Sequence, residues 1–213
     1  MATTAKENIL KKIRQALAQP VPVPFPQSEG HDSVFKPSVQ ELEIEFAENF
    51  SKLQGRFSFC ADEAELVAQL KALIAARKWD KLYCREDVLK QDLTDAGFSD
   101  FNAENVHSCQ ASVTSCECLV ARTGSILLSS GQQSGRTVSV YAPVHICIAY
   151  TDQLVYDIKD GIQLVKDKYQ DAIPSLISLA TGPSRTADIE KTLVVGVHGP
   201  KEVFCFLLDR QKS

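Results

Sequence analysis

Apolar residues first recur at helical spacing near the amino terminus, where Ile9, Leu10, Ile13, Ala16 and Leu17 fall on one face. Thr4 followed by Glu7 gives a capping-box spacing just before them. An amphipathic helix is therefore predicted over residues 1–19. Pro20, Pro22, Pro24 and Pro26 then alternate with Val21, Val23 and Phe25, which fixes φ and favours an extended linker over residues 20–37. From residue 38 the period switches repeatedly. Leu42, Phe46, Phe50 and Leu53 line a helical face behind Ser38 and Glu41 and stop at Gly55, and residues 57–60 read as strand. Asp62 and Glu65 open a helix with Leu66, Val67, Leu70, Leu73 and Ile74 inward, residues 81–84 read as strand, and 88–96 as a helix closed by Gly97. The second half is richer in strands, predicted at 118–121, 125–128, 137–140, 145–149, 176–180, 193–197 and 203–208, with one convincing helix at 158–169. The alternation predicts an α/β domain over residues 38–213: a Rossmann-like parallel or mixed sheet flanked by helices.

Composition narrows the possibilities. With 213 residues, 44% of them hydrophobic and 23% charged, the chain can bury one core plus a small appendage. The formal net charge is -4 and the cations are scattered, which argues against a nucleic-acid groove or an anionic membrane surface as partner. No apolar run approaches the roughly 18 residues that span a membrane. Lys6, Glu7, Lys11, Lys12 and Arg14 interrupt any secretory core, so a cytoplasmic location is expected. Seven cysteines are expected to be reduced, four of them (Cys60, Cys84, Cys147 and Cys205) as small hydrophobes within strands.

Several motifs are missing. No glycine-rich dinucleotide fingerprint, phosphate-cradling loop or nucleophile elbow is present. Cys116 and Cys118 form a Cys-x-Cys pair, but there is no Cys-x-x-Cys run to hold a cubane iron–sulfur cluster, and His31, His107, His145 and His198 lack helical metal spacing. No metal or cofactor is expected on this chain.

What remains is the run Thr181-Gly-Pro-Ser-Arg-Thr-Ala-Asp-Ile-Glu190, which follows an apolar strand with small, capping-competent residues. If a helical turn begins there, its free N–H groups attract an anion, with Gly182, Ser184, Arg185, Thr186 and Asp188 as candidates. One helix terminus contributes roughly 0.3 to 1 kcal/mol and one arginine bond roughly 1.5 to 3, against about 4 for millimolar binding. A second element must contribute. The loop 130–136, with Gly135 and Arg136, and the turn Thr123-Gly124-Ser125 are the two candidates. In a parallel sheet, turns at the carboxyl ends of the strands would converge on one crevice. The competing reading makes these plain strand connections, with Arg185 an ion-pair partner of Asp188 and Glu190. His198, in a Gly-Pro turn, is a weak candidate for proton transfer. His145 reads as a satisfied core residue, and Cys116 and Cys118 as structural rather than redox-active.

The run 181–190, with Val194-Val-Gly-Val-His-Gly-Pro200 after it, resembles the signature of the LUD-domain family, the group of lactate utilization protein C and its relatives. Val113-Thr114, Ala121-Arg-Thr-Gly-Ser-Ile126 and Pro143-Val-His-Ile146 resemble that family's central segment. The resemblance implies a fold similar to the NagB/RpiA/CoA-transferase group. It also implies a subunit of a system that oxidises L-lactate to pyruvate, with iron–sulfur clusters in sister proteins and a small anionic ligand here. A module for assembly or regulation, with a vestigial pocket, is the alternative. The family often carries an acidic residue where this chain has Arg122, which implies an anion-attracting role at that position.

Overall fold

In the computed structural model, residues 5–18, 37–38, 40–189 and 192–210 are described, and the side chains at 16–17, 187–189 and 192–193 are left aside. The chain divides into two units, Met1–Pro37 and Ser38–Ser213. The first contains one helix, α1 (Ala5–Ala18); Thr4 and the expected linker, apart from Pro37, lie outside the described residues.

The second unit begins with α2 (Leu42–Lys52), β1 (Arg56–Cys60), α3 (Glu63–Arg77), β2 (Leu82–Cys84), α4 (Asp87–Asp95) and β3 (Ala111–Thr114). Local chemistry sets the helix starts. The Asp62 carboxylate accepts the Glu65 N–H at 2.8 Å and caps α3. Ser38 does not cap α2; its hydroxyl is taken by Glu45 and by the Gln40 carbonyl, and Glu41 becomes the capping residue without a side-chain bond. After β3 come β4 (Cys118–Val120), β5 (Ser125–Ser129), α5 (Val138–Tyr141), β6 (Val144–Tyr150), β7 (Leu154–Val155) and α6 (Ile158–Tyr169). The chain ends with β8 (Ile177–Ala180), β9 (Arg185–Ile189), β10 (Thr192–Val195) and β11 (Glu202–Leu208). Asp157 and Asp160 form a reciprocal capping box at the start of α6.

Two sheets face each other. The first is fully parallel, ordered β1-β11-β6-β3-β2; the second is ordered β7-β4-β5-β8, with antiparallel β4–β5 and β5–β8 pairs. Alternation along β6 and β11 explains the layering. Val144, Ile146, Ile148, Phe204, Phe206 and Leu208 pack with the Leu66, Leu70, Leu89 and Leu93 side chains of α3 and α4. Cys147, Ala149, Val203, Cys205 and Leu207 turn the other way, onto Leu119, Ile126 and Leu128 of the second sheet and Phe46 and Phe50 of α2. The outer face of the second sheet is covered by Val165 of α6. A sheet buried on both faces accounts for the near-continuous apolar runs of β6 and β11.

Three expectations are corrected. Residues 137–140 are not a strand: the Thr137 carbonyl accepts the Val140 and Tyr141 amides at 3.1 and 2.9 Å, closing the single turn of α5. The helical turn buries Val138 and leaves Val140 and Tyr141 outside, whereas a strand would put Val138 and Val140 on one face. β3, wholly buried, is a strand the periodicity did not reveal, because Ser112 and Thr114 interrupt its apolar pattern. The segment after Ser184 is no helical turn either; β9 pairs antiparallel with β10. No helix among the described residues is long and apolar enough to cross a membrane.

Candidate functional site

Of the predicted anion-site residues, Gly182 and Ser184 line one hollow with His198, and among the described residues the others do not line it. Gly124, with φ +58°, presses against the backbone of Asn49 and Phe50, and Gly182, with φ +83°, presses against the Leu53 carbonyl. That same carbonyl accepts a hydrogen bond from the Arg185 guanidinium, while Asn49 Nδ2 donates to the carbonyls of Ala121 and Arg122 at 3.0 and 3.2 Å. These residues seat the carboxyl end of α2, where the helix dipole is negative and a cation is favoured.

Arg136 donates to the Ser175 hydroxyl, far along the chain from Leu53, so the two arginines make their bonds to different parts of the fold. Gly135, with φ +67°, lies beside Arg85. The hydroxyls of Thr123, Ser125 and Thr181 form a relay with oxygen separations of 2.7 and 2.8 Å, tying the β4–β5 connection to the end of β8. Thr186 is half-buried in β9, and the side chain of Asp188 lies outside the described residues. Arg122 does not attract a free anion: its Nε donates to Asp157 at 2.8 Å. Burial pushes the Asp157 carboxyl up, but the Lys159 amide and the Arg122 guanidinium together hold it below its ordinary value.

Ser184 and His198 do come together. The Ser184 N–H donates to the Pro200 carbonyl and the Gly196 N–H to the Ser184 carbonyl, both at 2.9 Å, which clamps the turn 196–200 onto Ser184. Gly199 rests on the Ser184 side chain so closely that a Cβ there would stand 2.9 Å from Ser184 Cβ. Two adjoining hollows result, of about 470 and 280 Å³, sharing Val140, His198 and Gly199. Lys201 lines the larger and Ser184 the smaller. Lys201 N–H donates to the Pro143 carbonyl at 2.8 Å, but among the described residues the side chains of His198 and Lys201 have no hydrogen-bond or ion-pair partner. The neighbouring Glu202 is engaged by Arg56 at 3.1 Å and Arg77 at 2.5 Å, so it does not neutralise Lys201.

This groove lies at the amino ends of β6 and β11, not at the carboxyl ends where the turns were expected to converge. Of the second sheet, the end of β8 does reach it, since Thr181, Gly182 and Ser184 line the smaller hollow, whereas the Thr123–Ser125 turn lines neither hollow. At the carboxyl ends of β2 and β3, space is filled by a polar network. Glu86 accepts the Ser115 N–H at 3.2 Å and its hydroxyl, Ser115 Oγ accepts Gln132 Nε2 at 3.1 Å, and Gln132 Oε1 accepts the Ser129 N–H at 2.9 Å. Ser129 Oγ donates to Glu117 at 2.5 Å, and Glu117 also accepts Lys168 at 2.7 Å and Tyr169 at 2.8 Å.

Lys201 and Tyr141 were missed by sequence reasoning. Assigning 137–140 to a strand hid Tyr141, and a lysine after Gly-Pro carries no signal of its own. All seven cysteines are buried and unpaired. Hydrogen bonding to Cys147 and burial raise the Cys116 thiol well above its ordinary range, and burial takes Cys118 to about 12, so neither is an activated thiolate. Among the described residues no three His, Cys, Asp or Glu side chains gather to hold a metal ion.

Comparison with known proteins adds identity to this geometry. The chain is 37% identical to lactate utilization protein C of Bacillus licheniformis over 119 residues, 54% of this chain and 50% of that protein. It is 32% identical to lactate utilization protein C of Anoxybacillus flavithermus over 127 residues, 59% and 55% of the two chains. These matches span about half the length of the relatives. The crystal structure of a duf162 family protein from Deinococcus radiodurans superposes with a TM-score of 0.59 at 18% identity, covering 81% of this chain and 99% of that one, which establishes a shared fold. The LUD domain model matches residues 44–208, and the chain belongs to the LUD domain family.

Proposed function

We propose that this chain serves a cytoplasmic lactate-utilization system as a binding component, holding a small carboxylate in the groove of Ser184, His198 and Lys201. The observation that carries the reading is the pair of basic side chains, His198 and Lys201, left without partners on one concave surface. Charge-assisted bonds contribute roughly 1.5 to 3 kcal/mol each and a neutral hydroxyl about 1, which together reach the roughly 4 kcal/mol of millimolar binding. The names of the relatives support lactate as the physiological context. No acid or base stands within hydrogen-bonding distance of His198 among the described residues, which suits binding better than proton transfer. Oxidation then takes place on partner iron–sulfur proteins, an assignment in keeping with the burial of all seven thiols of this chain.

The test is replacement of both basic residues, His198→Ala with Lys201→Ala, in the native host. Growth on L-lactate is expected to fall sharply while the protein stays folded; undiminished growth would remove the reading.

A further inference from the structure

The larger hollow has a mixed lining. His198 and Lys201 share it with Val140, Tyr141 and Val197. Those three side chains are 40%, 58% and 42% exposed, so hydrocarbon is open to a ligand beside the two bases. Ligand pockets are lined in this way, by apolar and aromatic side chains with a few polar groups. The Tyr141 ring is also held in place: His107 meets it edge-on, with centroids 5.3 Å apart and planes at 89°. A steadied ring presents contact area with little further ordering on binding.

Size points the same way. A volume of about 470 Å³, beside a second hollow of about 280 Å³ that shares Val140, His198 and Gly199, falls in the range of ligand pockets. A three-carbon acid fills only a small part of it.

We infer that the ligand of this groove carries an apolar arm beyond its carboxylate, an aliphatic chain of several carbons or an aromatic ring lying on Tyr141 between Val140 and Val197. This rests on the small-carboxylate reading and extends it: the basic side chains set the charge of the ligand, and the apolar ones set its length. Lactate is then the smallest member of the accepted class.

The full-length chain is titrated calorimetrically with L-lactate, 2-hydroxybutyrate, 2-hydroxyhexanoate and 3-phenyllactate. Affinity should rise about fourfold for each methylene buried, with 3-phenyllactate at least tenfold tighter than lactate. Tyr141→Ser combined with Val197→Ser, both at exposed positions, should collapse that ratio towards unity. A flat series in which lactate still binds, and is lost in His198→Ala, would overturn the apolar-arm inference and leave the small-carboxylate reading standing. Failure of every acid to bind would remove both.

Discussion

His145 lies on β6 with no exposed surface, and its Nε2 stands 2.8 Å from the Thr114 hydroxyl. Thr114 gives its one proton to the Ser115 carbonyl, also at 2.8 Å, so the imidazole must donate through Nε2. Nδ1 is then a buried acceptor, without a partner among the described residues. Burial pushes the imidazole down to about 4. The sign follows from linkage: the unfolded chain takes up this proton as pH falls through about 6.5, whereas the folded chain resists until about 4. Stability contributed by neutral His145 is complete above about 6.5 and is lost progressively down to about 4, a difference of about 3 kcal/mol. Urea unfolding at pH 7.5 and 4.5 should show that loss in the wild type and a clearly smaller one in His145→Asn; equal losses would contradict the assignment. The glycine at 124 is as demanding. A methyl there would meet the Phe50 amide at a φ that ordinary residues avoid. Gly124→Ala should cost about 2 kcal/mol or more, read as a lowered urea midpoint.

Elements were legible where period and capping agreed. α6 occupies 158–169 as expected because Asp157 and Asp160 fix its start and Ile158, Gly161 and Val165 share the inward face. The capping signal at Ser38 misled, since its hydroxyl went to Glu45 rather than to a helix amide. β10 was legible as the strand expected at 193–197, but β9 could not be told from a helix start, because Arg185 is exposed and Thr186 only half-buried, with little burial to impose alternation. The loop between β5 and α5 was legible as a loop but not for what holds it. Ser129 joins Glu117, which also takes Lys168 and Tyr169 from α6, and Gly131 lies flat on the Tyr169 ring. Glu117→Gln keeps the shape but weakens acceptance from three donors. It should lower stability by roughly 1 to 3 kcal/mol and raise amide exchange first in the loop and the end of α6. Protection lost uniformly across the molecule would contradict this local role.

At the scale of the whole molecule, the alternation of helix and strand gave the α/β class, but not the division of the strands into two facing sheets. That division depends on which face of β6 and β11 meets which partner, a choice made by packing between residues far apart in the chain. It also decides the site. Gly124, Gly182 and Arg185 seat the carboxyl end of α2, while Gly182 and Ser184 also line the hollow beside the groove that His198 and Lys201 face at the amino ends of β6 and β11. Titration of isotopically labelled full-length chain with L-lactate, followed by amide and imidazole resonances, tests this placement most directly. Saturable shifts with a roughly millimolar midpoint, centred on Ser184, His198 and Lys201, are the predicted result. Shifts centred on Arg136 or Arg185, or none at high lactate, would contradict it.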